Sequence, residues 1–327
     1  MEVCGTMSTS HTSMDRAVPL FDGLIARVRS LPPVATAVVW PCEAVALQGA
    51  LMSLSDGLIT PVLIGERTRL AETARQAGLD ISGCEIVEAS SPEQAAGHAV
   101  ALAASHRVHA LLKGSVHTDV LMTAVLAPGS GLSTQRRMSH VFVLAMPGRD
   151  GPLFVTDAAI NIAPDLLAKR DIVQNAIDLH HALGFGAPRV ALLSAVETVN
   201  PRIQGTIDAA CLCKMADRGQ ITGGVLDGPL GMDNAVDADA ARIKGIVSPV
   251  AGRAQILVAP DLEAGNMLAK NLIYMGKADA AGLVLGARLP IVLTSRADGA
   301  RARLASTAIA ALYVHATATA RGVPSPE

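Results

Sequence analysis

The stretch Pro290-Ile291-Val292-Leu293-Thr294-Ser295-Arg296-Ala297-Asp298 decides how this chain is read. Four apolar residues predict a short buried strand, and it ends abruptly in a hydroxyl, a guanidinium and a carboxylate. In an α/β protein, side chains at the carboxyl end of a strand project into the crevice where ligands bind. Ser295 and Arg296 at such a place suit an anionic group beside a polarised carbonyl or phosphoryl. The plainer reading makes Ser295 or Asp298 a helix cap and leaves Arg296 in solvent. Four other segments share the form, with polar or small residues directly after an apolar run. They begin at Lys113-Gly114-Ser115, Thr156-Asp157, Asp227-Gly228-Pro229 and Pro260-Asp261. Strand ends on one sheet edge converge on one crevice, so five such ends predict a single polar site.

Working outward, apolar runs of strand length alternate with longer helical patterns. Strands are predicted at 34–40, 61–64, 85–87, 109–113, 141–146, 153–156, 189–193, 223–226, 255–259, 282–285 and 291–294. Helices are predicted at 43–53, 67–77, 92–106, 163–183, 202–218, 237–244, 262–275 and 300–317. Such βα alternation predicts an α/β fold with largely parallel sheets. Composition agrees: 50% of the residues are hydrophobic but only 2% aromatic, so Ala, Val, Leu and Ile must fill the core. That bias suits strands covered on both faces by helices. A chain of 327 residues is long enough for two domains. Residues 147–152 are the densest turn cluster, read as a domain crossing or a hairpin. Residues 1–20 read as a disordered tail, with Met7 and Met14 as alternative starts. The weakly polar stretch 304–320 is short for a membrane span and predicts a terminal helix packed on the body or on a second subunit.

Several function classes find no support. The net charge is -2, with no basic stripe for nucleic acid. The cysteines (Cys4, Cys42, Cys84, Cys211 and Cys213) match no zinc or disulfide framework and read as reduced thiols of a cytoplasmic protein. Gly184-Phe185-Gly186 follows a helix and precedes a strand, the reverse of a dinucleotide loop, so Gly184 reads as a helix end. His180-His181 has no acidic partner at metal spacing and reads as a solvated helix end.

The segments Asp227–Ala235 (DGPLGMDNA), Pro260–Met267 (PDLEAGNM) and Pro290–Asp298 (PIVLTSRAD), in this order and spacing, resemble the phosphate acetyltransferase/phosphate butyryltransferase family, in wording closer to the butyryl branch. The wording is also similar to the acyltransferase half of hydratase fusion proteins. The resemblance spans residues 34–312. It implies the reaction acyl-CoA + phosphate ⇌ acyl phosphate + CoA, with a short acyl group and coenzyme A as substrate. No metal or tightly bound cofactor, nucleic acid or membrane is implied, and a homodimer or larger assembly is. The implied fold is two α/β domains with an interdomain cleft, like isocitrate and isopropylmalate dehydrogenases. The first domain would take residues 21–147 and 290–327, the inserted second 148–289.

The resemblance carries catalytic roles to Ser295 and Arg296, donors for the tetrahedral oxyanion and a bidentate clamp for phosphate. Gly114, Ser115 and Thr118 are candidates to cradle phosphate at a helix start, with Lys113 adding charge or standing as a solvated strand-end lysine. Asp233, Asn234 and Asn266 complete the candidate substrate site, and Arg136 and Arg137 are candidates for the CoA phosphates or plain surface charges. Acetyl-type relatives carry a thiol-deprotonating Asp where this chain has Ala302, and an Arg where it has Met122-Thr123. Asp298 is the substitute base, or a cap of the last helix. Two rival readings are a decarboxylating hydroxyacid dehydrogenase, for which Asp227, Asp233 and Asp237 would bind metal, and a catalytically silent binding protein on the same scaffold.

Overall fold

The computed structural model describes residues 20–294 and 298–320. In chain order the elements are α1 (Leu20–Val28), β1 (Val34–Val39), α2 (Ala44–Ser55), β2 (Ile59–Gly65), α3 (Arg67–Ala77), β3 (Glu85–Glu88), α4 (Pro92–Ala104), β4 (Ala110–Lys113) and α5 (Thr118–Leu126). There follow β5 (Ser139–Ala145), β6 (Leu153–Thr156), α6 (Leu166–Ala182), β7 (Arg189–Leu193), α7 (Gln204–Asp217), β8 (Val225–Leu230), α8 (Met232–Val236) and α9 (Ala238–Ile243). The last are β9 (Ile256–Val258), α10 (Leu262–Tyr274), β10 (Asp279–Leu285), β11 (Ile291–Val292) and α11 (Ala300–Ala320).

Local chemistry sets several helix starts. Ser91 accepts a bond from the Gln94 N–H ahead of Pro92, and Asp165 and Asp261 cap α6 and α10 in the same way. Gly184, at φ 82°, follows the last residues of α6 as predicted. The neighbouring His180 is not solvated: it is fully buried and its Nδ1 meets the Gly186 carbonyl oxygen at 2.8 Å. Residues 146–152 are the connection of a hairpin, because β5 and β6 pair antiparallel.

The strands join one eleven-stranded sheet in the order β3-β2-β1-β4-β11-β10-β5-β6-β9-β7-β8. The sequence predicts sheets that are largely parallel, and the structure adds a reversal in the middle. β3, β2, β1, β4 and β11 run together; β10 runs against both β11 and β5, and β6 runs against β5. β9, β7 and β8 then follow β6. The carboxyl ends of β4 and β11 therefore lie on one edge, and those of β6, β9 and β8 on the opposite edge.

α11 buries Ala305, Ala308, Ile309, Ala310, Ala311, Leu312 and Val314. It packs on β10, α1, α2 and α6. Its apolar face is thus satisfied inside the chain, which removes the reason for seeking a partner subunit there. Among the described residues no helix is long and apolar enough to cross a membrane.

The link between α6 and α7 is a buried ion pair, Lys169 Nζ to Asp208 Oδ2 at 2.6 Å. Removing one partner strands a buried charge, so Lys169→Ala is expected to cost about 3–5 kcal/mol. The double variant Lys169→Met/Asp208→Leu is expected to lose less than either single change. Urea denaturation of the three variants checks both statements.

Candidate active site

β4 ends at Lys113 because the chain there turns against the end of β1. The Gly114 N–H donates to the Val39 carbonyl oxygen and the Ser115 N–H to that of Trp40, both at 2.9 Å. A Cβ at Gly114 would lie 2.6 Å from the Val39 oxygen, so only glycine fits. The expectation that these two amides cradle phosphate is therefore corrected: both are committed to β1. The Ser115 hydroxyl is different, since its Oγ is buried with no hydrogen-bond partner among the described residues. Lys113 is buried, not a solvated strand-end lysine. Its Nζ donates to the Gly114 and Val116 carbonyl oxygens at 3.3 and 3.2 Å. Thr118 is exposed in the first turn of α5, where Asp119 already supplies a negative charge.

Ser295 and Arg296 lie outside the described residues. The residues flanking them are held by a side chain the sequence reading missed. Arg303 of α11 donates from Nη1 to Thr294 Oγ1 at 2.8 Å and from Nε to the Asp298 carbonyl oxygen at 3.2 Å. Arg303 is itself buried, and α2 approaches it closely because Gly49 has no side chain; a Cβ there would lie 3.0 Å from Arg303 Cδ. Burial lowers the Arg303 pKa, and Asp298 and Glu43 oppose that shift. One signal was available: Arg303 shares a helical face with Thr307, Ala310, Ala311 and Val314, all of them buried. The cap position of α11 belongs to Gly299, whose carbonyl oxygen accepts from the Arg303 N–H at 3.2 Å. Asp298 stands one residue outside that position and lines a cavity of about 270 Å³ between β10 and α11.

The other predicted site residues belong to the opposite edge. Asn266 donates to the Ala158 carbonyl oxygen at 2.9 Å, fastening α10 to the loop after β6. Asp157 in that loop accepts from the backbone N–H groups of His140, Ala159, Ile160 and Asn161. Asp233 and Glu197 both pair with Lys244, at 2.9 and 2.7 Å, and the Asn234 amide donates to Glu197 at 2.5 Å. Arg136 pairs with Asp178, and Arg137 Nε donates to Asn161 Oδ1 at 2.7 Å. Both arginines precede β5, whose first residues lie at this far edge. The structure thus does not bring the five predicted strand ends to one crevice. The reason is the reversal at β10 and β5, which no single-strand pattern encodes.

Among the described residues no group of three His, Cys, Asp or Glu is placed to hold a metal ion, so Asp227, Asp233 and Asp237 do not form the cluster a dehydrogenase reading needs. Burial pushes Cys42 up to about 11 and Cys213 up to about 12, leaving both protonated at neutral pH.

The profile of the family described as phosphate acetyl/butaryl transferase matches residues 93–311. A phosphate acetyltransferase of Rhizobium meliloti is 61% identical over 293 residues, covering 90% of this chain and 93% of the relative. This chain belongs to that family. A phosphate butyryltransferase of Clostridium beijerinckii is 40% identical over 292 residues, covering 89% of this chain and 97% of the relative. Overall identity is thus higher to the acetyl-named relative, although the motif wording resembles the butyryl branch. The crystal structure of a branched-chain phosphotransacylase from Enterococcus faecalis V583 matches with a TM-score of 0.75 at 29% identity, covering 86% of this chain and 99% of that one.

Arg303 holds Thr294 and Asp298, on either side of Ser295 and Arg296, and its loss is expected to act on turnover. A misplacement of about 1 Å can cost about 10²-fold in rate, so Arg303→Met is expected to lower kcat by that order with KM nearly unchanged. Arg303→Lys, which keeps the charge without the fork, is expected to recover part of the loss. Steady-state kinetics on folded variants decide it; a loss confined to KM counts against the assignment.

Proposed function

We propose that this chain catalyses acyl-CoA + phosphate ⇌ acyl phosphate + CoA at the edge where β4 and β11 end, with a short acyl group. Family membership over nearly the whole chain carries this reading. In the forward direction a phosphate oxygen attacks the thioester carbonyl carbon, and a tetrahedral oxyanion forms. It collapses with loss of the thiolate, which takes up a proton. In reverse the thiolate attacks the acyl phosphate.

Roles follow from chemistry and from the sequence. Ser295 and Arg296 are assigned the oxyanion and the phosphate, on the strength of the LTSRAD wording. Lys113 supplies positive charge at the end of β4, and the buried Ser115 hydroxyl is the donor aimed at phosphate. Asp298 is assigned the proton of the CoA thiol, supported by its place on the cavity wall beside Ala302. The fold is read as two α/β units with a cleft between them, residues 21–147 with 290–327 and the inserted 148–289, in the manner of isocitrate dehydrogenase. The position of β11, last in the chain yet beside β4, supports this reading. A homodimer or larger assembly rests on the resemblance alone, and a cytoplasmic location on the free thiols of Cys42, Cys84, Cys211 and Cys213.

Phosphate-dependent release of CoA thiol from acetyl-, propionyl- or butyryl-CoA tests the reaction; its absence with all three sinks the proposal. Arg296→Ala is expected to lower turnover about 10²–10³-fold, the usual effect of losing an electrostatic donor. Arg296→Lys is expected to be poor too, because a point charge does not reproduce a bidentate fork. Near-normal turnover in both overturns the role of Arg296.

In the direction acyl phosphate + CoA, where the thiol must lose its proton, Asp298→Asn is expected to lower turnover and to remove the acidic limb of the pH–rate profile, since that limb reports ionisation of the base. An unchanged profile from the folded variant returns Asp298 to a structural role.

A further inference from the structure

β11 stops after two residues, although β10 beside it runs for seven. Ile291 pairs with Val284, near the carboxyl end of β10. The other end of β10, residues 279–282, therefore has no strand on its β11 side. α11 covers part of the gap, where the Ser306 hydroxyl accepts from the Gly282 N–H at 3.0 Å. What remains is the 270 Å³ cavity. Its apolar wall is Phe142, Ala281, Leu293, Ala302 and Ala305, with Phe21 behind. Phe21, Ala281 and Ala305 are buried, whereas Phe142 and Leu293 are half-buried and turn apolar surface toward the open space. Three charged residues share the lining. They are Asp279, Asp298 and Arg301, and Arg301 is tethered to Asp22 at 3.0 Å and to Asp279 at 3.3 Å.

We propose that this cavity receives the acyl chain of the acyl-CoA, and that Phe142, Ala302 and Ala305 set the chain length accepted. The proposal rests on the acyltransferase reading above. Three observations carry it. The cavity is bounded by Leu293 and Asp298, which stand two residues before Ser295 and two after Arg296 in the sequence. Its wall offers methyl, methylene and ring carbons, the surface that gains by excluding water around an alkyl chain. Its volume corresponds to about nine water molecules at ~30 Å³ each, ample for a four-carbon acyl group and far too small for the body of coenzyme A. The thioester carbonyl then stays at the mouth, where the polar groups are, and only the alkyl chain enters.

The full chain is assayed for phosphate-dependent thiol release with acetyl-, butyryl- and hexanoyl-CoA. One methylene in an apolar pocket changes kcat/KM by about 10-fold or more. Ala305→Leu, which fills the cavity, is expected to lower kcat/KM for butyryl-CoA relative to acetyl-CoA by at least about tenfold. Phe142→Ala, which enlarges it, is expected to raise kcat/KM for hexanoyl-CoA relative to acetyl-CoA by a similar factor. If Ala305→Leu does not fold, Phe142→Ala alone decides. Variants that slow every acyl-CoA by the same factor overturn the proposal, since a wall touching pantetheine or merely supporting the fold acts on all substrates alike. A wild-type chain inactive with all three acyl-CoAs overturns the acyltransferase reading and the subsite with it; an active wild type with unshifted ratios in the variants overturns the subsite alone.

Discussion

The antiparallel pairing of β10 with β5 is the constraint on which the rest of the architecture depends. Seven residues of each strand are in register, from Asp279 against Ala145 to Leu285 against Ser139. β10 also pairs antiparallel with β11, and β5 with β6, so the two strands together turn the sheet from one direction to the other. Each parallel block keeps its own set of carboxyl ends. Which polar groups can meet follows from that reversal. Lys113, Ser115 and Asp298 share one edge, while Asn266, Asp233 and the Asp157 loop share the other.

At the first edge, a single buried guanidinium does the fastening. Arg303 reaches both Thr294 and the Asp298 carbonyl, tying the chain on either side of residues 295–297 to the last helix. The same arginine explains a small residue far away in sequence, because Gly49 lets α2 lie against its aliphatic stem. Long charged side chains commonly bury their stems in this way. Here the polar head is buried as well, and its donors are answered by chain atoms.

Much of the fold was legible from pattern alone. The alternation of apolar runs predicts all eleven strands within a few residues; the caps Ser91, Asp165 and Asp261 at the starts of α4, α6 and α10 are seen in the structure. α1 was hidden at the border of a polar leader, and the five-residue α8 is shorter than any periodicity can register. The site was less legible. Polar residues directly after strands predict a ligand site, yet several serve to fasten loops. In PDLEAGNM, Asp261 caps α10, Asn266 holds the Ala158 carbonyl, and Gly265 lies so near Asp157 that a Cβ would come within 2.2 Å of its oxygen. A motif can mark a family through its stitching as well as through its chemistry. Nothing local distinguishes the two uses, because a capping carboxylate and a catalytic one are the same group in different company.

The commitment of the Gly114 and Ser115 amides to β1 has an implication for how this edge can change over time. Main-chain donors are insensitive to substitution, since nearly every residue carries the same N–H. With those two amides withdrawn, an anion at the end of β4, as proposed, would be met by side chains such as Lys113 and the Ser115 hydroxyl. Each can be altered by one codon without moving a strand. The rigid frame and the variable chemistry are therefore separately heritable, and relatives can diverge in substrate while their sheets stay superimposable.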